Sequence, residues 1–349
     1  MGDIWYWLVA LMLAAYVVLD GFDIGAGIIH LLLSKGEEDR QLILRSIGPV
    51  WDGNEVWLIA MGGTLYFAFP FVYASALSGF YLPLMIVLWL LVLRGIGIEL
   101  RMHLAVRVWR EFFDGCFAIS SSLLAIFLGV ILANVFRGAP IGNDGYFFLP
   151  LWTNFRPGTN PGIFDWYTLT GSLLALVALA VHGAFYVAFK TEDSLHDRAA
   201  KLGRRLLGVL VVMTLVGLAA TLGIRPSAPG NYFHHPVAFL IPLLVVASLM
   251  GMLMFSRAGR DREAFLSSCS YLAAVLIGAA VSLFPILLPS STDPTRDITI
   301  SRAMSGSYAL SAGLIWWAIG ILCAIGYFVF VYRMFAGKVR LSSGDASHD

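Results

Sequence analysis

Charge is what this sequence has least of. Lys, Arg, Asp and Glu make up 13% of its 349 residues, about half the share found in an ordinary soluble domain. With 59% hydrophobic residues, such a chain cannot clothe a water-facing surface, and it reads as an all-α polytopic membrane protein. Cysteine is nearly absent as well. Cys116, Cys269 and Cys323 lie far apart, in or beside apolar runs and without CxxC spacing, which excludes a disulfide framework and a thiolate metal site. The net charge of +1 gives no case for a nucleic-acid partner. Met1-Gly2-Asp3 lacks a positive n-region and the first apolar run is too long for a cleavable signal, so none is expected. No soluble appendage and no convincing internal repeat interrupt the pattern, so residues 1–349 are expected to form one integral membrane domain.

What is present is a series of apolar runs, at about 4–33, 54–72, 74–93, 115–136, 166–189, 206–224, 236–255, 264–288 and 308–332. Each approaches or exceeds the roughly 20 residues that cross a bilayer as helix. Nine spans fit two four-helix bundles plus one peripheral helix. The link around Pro70 to Ser78 is where the second and third spans admit another cut. Eighteen of the 23 basic residues fall in the loops after spans 1, 3, 5 and 7 or in the C-terminal tail. The opposite loops hold five: Arg137, Arg156, Arg225, Arg296 and Arg302. By the positive-inside rule the N-terminus is expected outside and the C-terminus in the cytoplasm. The loop from Arg137 to Asp165, rich in Gly, Pro, Asn and aromatics, is expected to be ordered by turns and packing. Pro285 and Pro289 predict a kink in the eighth span, and Ser290 to Asp293 predict capping turns. Trp5 and Trp7, with Trp51 and Trp57 at the other edge, fit interfacial aromatic belts.

Two carboxylates stand inside the first run, Asp20 and Asp23 in YVVLDGFDIGAG, three residues apart and so on one helix face. A carboxylate at that depth costs a few kcal/mol or more, so it faces a protein interior, water or a proton path. Asp52 and Glu55 open the next run. Asp52 has two readings: a proton acceptor at the cytoplasmic side, or, with Glu55, an Asp variant of the capping box. Asp20 and Asp23 have two as well, proton carriers or partners in structural pairs. Gly21, Gly25 and Gly27 beside them allow close helix approach. Of the histidines, only His182 lies well inside a span. His30, His103 and His196 fall near one set of helix ends, His234 and His235 near the other, and His348 in the tail. A hydrogen bond to a neighbouring helix is the expectation for this one buried histidine. The chain alone therefore offers no catalytic residue and no metal site.

The segments LDGFDIGAG, IGPVWDGNEVWLIAMGGTLYFAFPFVYASALSGFY, RGIGIELR at 94–101 and VSLFPILLPSST at 281–292 resemble subunit II of the cytochrome bd-type quinol oxidases. Length and helix number agree along nearly the whole chain, although from Gly138 to Phe265 the likeness is in helix pattern alone. The resemblance implies a heterodimer that oxidises quinol and reduces dioxygen to water in a bacterial or archaeal cytoplasmic membrane. It places two haems b and one haem d, or a third haem b, in subunit I together with the quinol site. It implies that subunit II supports assembly, contributes part of a cytoplasmic proton route and can hold a quinone as a structural lipid, and that a small single-helix accessory subunit can join. By match to the family motifs, Asp52 is the acid at the mouth of that route, with Asp20 and Asp23 buried behind it. Arg94 and Glu99 match a charged pair of the family. Glu55 stands where related chains can carry Gln and adds a titratable group. Trp316 and Trp317 are candidates to pack against a quinone or lipid tail, or against bilayer or partner. Two rival readings use the same acids: a proton-coupled transporter acting without a haem partner, which calls for paired broken helices around a central substrate site, and a purely structural partner.

Overall fold

Hydrocarbon offers no partner to a backbone N–H or C=O, so apolar runs of this length fold as helices, which bond their own backbone. The computed structural model describes residues 1–104 and 106–340. In chain order come α1 (Gly2–Leu33), α2 (Glu37–Ile47), α3 (Trp51–Ala68), α4 (Pro70–Gly79), α5 (Tyr81–His103), α6 (Arg107–Arg137), α7 (Trp166–Lys190), α8 (Asp193–Ile224), α9 (Gly230–His234), α10 (Leu240–Arg257), α11 (Asp261–Leu283), α12 (Ile300–Ala303) and α13 (Ser307–Met334). Two short strands, β1 (Ile286–Leu288) and β2 (Ile298–Thr299), pair antiparallel between α11 and α12.

Among the described residues eight helices are long and apolar enough to cross a membrane: α1, α5, α6, α7, α8, α10, α11 and α13. The 18-residue α3, with Asp52 and Glu55 near its start, is not among them and packs against α1. Helices α1, α3, α5 and α6 pack as one group of four and α7, α8, α10 and α11 as another, joined where α1 and α6 meet α7 and α1 meets α11. α13 lies outside both. Its links to the rest include Trp5 Nε1 donating to the Leu310 carbonyl at 3.2 Å and Tyr332 Oη donating to Asn54 Oδ1 at 2.8 Å. This is the arrangement of two bundles and a peripheral helix that the count of apolar runs predicts.

The joint between the bundles is a close helix crossing. A Cβ on Gly25 of α1 would collide with the Leu179 carbonyl and the Gly183 backbone of α7, and a Cβ on Gly183 would meet the backbone of Gly25 and Ala26. One turn away Phe22 stacks on Tyr186 with ring centroids 4.0 Å apart. Small residues allow this approach, and dispersion between well-fitted surfaces holds it, since lipid gives no hydrophobic force between helices.

The structure corrects several boundaries. The second and third spans were expected at 54–72 and 74–93, but α3 stops at Ala68, α4 intervenes and α5 runs from Tyr81 to His103. Pro70 sets the break: it is the first residue of α4, where its missing N–H is harmless, and it disfavours helical backbone at Phe69. The freed carbonyls at the end of α3 are taken by Ser305, whose hydroxyl donates to Phe67 and whose N–H donates to Ala68. The eighth span ends at Leu283 instead of continuing with a kink to 288; beyond Pro285 the chain is extended β1. Trp5 and Trp51, expected in interfacial belts, are buried, Trp5 against Phe67 and Leu310 and Trp51 beside Gly95. The turns at Ser290 to Asp293 form as expected, Ser290 Oγ accepting from the N–H groups of Thr292 and Asp293. His348 lies outside the described residues.

The loop after α6 is tied at both ends. Buried Arg137 forms an ion pair with Asp165 and donates to the Gly162 carbonyl at 3.1 Å and Asn134 Oδ1 at 2.6 Å. Asp165 in turn caps α7, accepting from the N–H groups of Tyr167 and Thr168, while its own N–H donates to Thr168 Oγ1, a full capping box.

Candidate functional site

Arg94 is the centre of the buried charge. It lies on the inward face of α5 with its side chain 0% exposed. Nη1 is 2.7 Å from Asp20 Oδ1 of α1, within ion-pair distance though not aligned as a hydrogen bond, and Nη2 donates to Glu55 Oε2 of α3 at 2.9 Å. One guanidinium thus joins three helices of the first bundle. Its planar fork suits two carboxylates approaching from different sides.

Asp23, almost one turn beyond Asp20, is also fully buried. Its Oδ2 accepts from Asn54 Nδ2 at 2.7 Å, and Asn54 Oδ1 accepts from Tyr332 of α13. Asn54 Nδ2 also reaches the Leu19 carbonyl at 3.2 Å. Several polar atoms here have no protein hydrogen bond: Tyr16 Oη, both oxygens of Asp20, Asp23 Oδ1 and Arg94 Nε. Buried groups in that state are ordinarily satisfied by internal water. The cluster sets three carboxylates against one guanidinium, two charges short of neutrality when all are ionised, so it can accept up to two protons without becoming net positive.

Asp52 is exposed in the first turn of α3 and makes no cap. The capping box with Glu55 does not form, because Glu55 turns to Arg94. Burial nonetheless rises step by step: Asp52 is exposed, the Glu55 side chain is 22% exposed, and Asp20 is at 0%. The expected pair of Arg94 with Glu99 is a correction. Five residues along a helix turn the side chain by about 140°, so Glu99 faces outward, exposed, while Arg94 faces Asp20. Arg94 is therefore no loop charge either, and the tally of basic residues at that end falls from eighteen to seventeen. Trp316 is 74% exposed on α13, whereas Trp317 is partly buried, its Nε1 at 3.4 Å from Met12 Sδ.

A second network escaped sequence reasoning. At the end of the bundle where α1, α5 and α6 approach α2, Asp114 is bound by three cationic or protonatable groups: His30 Nε2 at 2.7 Å, Arg101 Nε at 3.0 Å and Arg40 Nη1 at 3.1 Å. Arg101 and Arg110 also donate to Glu37 at the start of α2. These residues pin the amphipathic α2 across the helix ends. The signal available was Asp114 itself, an acid at the lip of an apolar run, as Asp52 is.

His182 has both ring nitrogens occupied, Nδ1 by Ser268 Oγ at 2.7 Å and Nε2 by the Val18 carbonyl at 3.0 Å, with its ring stacked on Phe265. It bonds neighbouring helices, as expected, and leaves no lone pair for iron. His30 gives Nε2 to Asp114, while its buried Nδ1 has no hydrogen-bond partner among the described residues.

Taken together, the fold and these residues define a polytopic membrane protein with titratable groups in its interior. The chain belongs to the cytochrome bd terminal oxidase subunit II family, which matches residues 1–335. It is similar to a probable cytochrome oxidase subunit 2 of Haemophilus influenzae, at 30% identity over 96% of this chain and 94% of the relative. It is also similar to the cytochrome bd-I ubiquinol oxidase subunit 2 of Escherichia coli K12, at 30% identity over 90% of this chain and 89% of that one. The cytochrome bd ubiquinol oxidase subunit 2 of Bacillus subtilis is 30% identical over 97% and 96%. The solved bd oxidase of Geobacillus thermodenitrificans shares the fold, with a TM-score of 0.77 at 17% identity, covering 96% of this chain and 98% of that one. The chain is thus a subunit of a quinol oxidase, an oxidoreductase of the respiratory chain, and a multi-pass inner-membrane protein of a haem-containing family. Membership implies a partner oxidase subunit, which removes the transporter acting alone.

Proposed function

We propose that this chain delivers protons from the cytoplasm toward the oxygen-reducing centre of its partner, through Asp52, Glu55, the Arg94–Asp20 pair and Asp23. Reduction of O₂ consumes protons that the hydrocarbon interior cannot supply, so carboxylates and water must carry them from one side. The observation that carries this reading is the graded burial of Asp52, Glu55 and Asp20, ending in a cluster whose polar atoms lack protein partners. Two haems b, and a haem d or a third haem b, belong to subunit I in this reading; His182, the one histidine well inside a span, has both ring nitrogens engaged by its own chain. The basic bias puts the N-terminus outside and the C-terminus in the cytoplasm, so that Asp52 faces the cytoplasmic side. Trp316 and Trp317 pack against a quinone or lipid tail, and a single-helix accessory subunit joins the complex.

A second reading has a specific observation behind it. The Arg94 clamp across α1, α3 and α5 would serve assembly alone if no proton moved through it. Asp52→Asn and Glu55→Gln in the assembled complex separate the two, with oxygen consumption measured under excess quinol and haem content read from the visible spectrum. Proton delivery predicts a loss of turnover of about tenfold or more at unchanged haem content. Unchanged turnover in both variants leaves only the structural role.

A further inference from the structure

Two membrane-crossing helices, α6 at Arg137 and α8 at Ile224, end at one cavity that β1 and the turn after it also line. The cavity measures about 480 Å³, and Arg137, Arg225, Ser291 and Asp297 line it. Arg137 is committed to Asp165, Gly162 and Asn134. Arg225 is not. Among the described residues its guanidinium makes one hydrogen bond, a long one of 3.4 Å to the Phe136 carbonyl, and has no carboxylate within 4.0 Å. Asp297 uses Oδ1 to accept from the Ser290 N–H at 2.7 Å and, among the described residues, has no cation within 4.0 Å. Ser291 Oγ is buried without a partner. A guanidinium and a carboxylate therefore face one cavity, within electrostatic reach of each other but not in ion-pair contact.

The surface leading away from this cavity is apolar. Leu215, Leu218 and Leu222 of α8 are 62%, 56% and 42% exposed. Their spacing of three and four keeps the three leucines on one helix face, and Arg225 follows as the residue that ends α8. An apolar track thus runs from the arginine into the membrane-crossing part of α8, at the depth where lipid headgroup gives way to acyl chain.

We propose that this cavity binds a phospholipid whose headgroup carries both a phosphate and a primary ammonium. The phosphate sits on the Arg225 guanidinium and the Ser291 hydroxyl, the ammonium on Asp297, and an acyl chain lies along Leu222, Leu218 and Leu215. Guanidinium donors match phosphate oxygens in forked geometry. A primary ammonium offers Asp297 three N–H donors, where a trimethylammonium offers none. A headgroup with phosphate alone would leave Asp297 unpaired beside a second negative charge.

The test uses the assembled oxidase complex, exchanged into phosphatidylethanolamine, phosphatidylcholine or phosphatidylglycerol of matched chains, with retained lipid counted by native mass spectrometry. The wild type is expected to retain phosphatidylethanolamine about tenfold better than the other two, a factor in line with one charge-assisted hydrogen bond. Arg225→Gln should reduce retention of all three, Arg225→Lys should reduce it less by keeping the charge without the fork, and Asp297→Asn should abolish the preference for ethanolamine over choline. Equal retention of the three lipids by the wild type overturns the headgroup assignment, whatever the variants do. Retention in Arg225→Gln equal to wild type overturns the site. Thermal protection of detergent-purified complex by inorganic phosphate alone, equal to that given by phosphatidylethanolamine, would mark a free-anion site and overturn the lipid.

Discussion

Asp20→Asn should destabilise the chain more than Glu55→Gln, although both bind the same guanidinium. The side chains of Arg94 and Asp20 are 0% exposed at 2.7 Å separation, while Glu55 keeps 22% exposure at 2.9 Å. Removing one member of a buried ion pair costs about 3–5 kcal/mol, because the other charge is left uncompensated. After Asp20→Asn, Arg94 still has Glu55, which places the loss near the lower end, about 3 kcal/mol. After Glu55→Gln the fully buried pair survives, and losing a partly solvated partner costs about 1 kcal/mol. Arg94→Gln removes the cation from three acids and should cost at least as much as Asp20→Asn. The double variant Asp20→Asn with Arg94→Gln should lose less than the two singles added, with a coupling of about 2 kcal/mol.

The assay is unfolding of the assembled complex in mixed micelles of increasing sodium dodecyl sulfate, followed by helix signal. A loss of 3 kcal/mol would appear there as a shift of more than a hundredfold in the folding equilibrium. A Glu55→Gln variant less stable than Asp20→Asn would refute the argument, and so would an Asp20→Asn variant within about 0.5 kcal/mol of the wild type. Turnover measured on the same samples separates the roles. A purely structural Asp20 lowers activity only as far as folded complex is lost, and a proton carrier lowers it further.

Gly25→Ala should block assembly or cost several kcal/mol, since its Cβ would drive into the Leu179 carbonyl and the Gly183 backbone. Gly63→Ala, with nothing near its Cβ, should be neutral or stabilising by up to about 1 kcal/mol through helix propensity; the two are compared by yield and melting of purified complex. The tail offers a pH test. Arg340 holds Glu192 in a double hydrogen bond and keeps its carboxyl below the usual glutamate range. A depressed value favours the docked tail above the ordinary glutamate pKa, and this is lost as pH falls through the lowered one. Protease cleavage of the tail should therefore rise with acidification in the wild type, and Glu192→Gln should show the raised rate at every pH. A wild-type cleavage rate flat across that window would contradict the assignment.

The sequence made Asp20 and Asp23 conspicuous because a carboxylate in an apolar run has few explanations. Their partners were hidden. Arg94 looked like a loop charge because the third apolar run, cut at 93, ends one residue before it, whereas α5 continues to His103. The error traces to Pro70: reading it as a first helical residue separates α4 and shifts α5 along the chain. The tie of Arg137 to Asp165 was equally concealed, since both residues flank a loop rich in turn formers and look solvated from sequence. The His30–Asp114–Arg101 network depends on three helix ends meeting, and no local pattern reports which ends meet. What periodicity and hydropathy could deliver was the all-α, polytopic architecture; they could not deliver the pairing of charges.

That pairing has a physical logic centred on α1. In lipid, apolar faces do not distinguish one neighbouring helix from another, so polar contacts and close backbone approach must do it. Along α1 four neighbours are each marked by a contact of their own. Asp20 takes Arg94 of α5, Asp23 takes Asn54 of α3, the Val18 carbonyl takes His182 of α7 beside the Gly25–Gly183 crossing, and His30 takes Asp114 of α6. A one-residue slip of α1 would turn its side chains by about 100° and break these contacts together. The same buried charges that make a proton route conceivable therefore also fix the register of the bundle. For that reason Asp20 must be tested by turnover and stability on one sample, since either measurement alone would credit one role with the effect of the other.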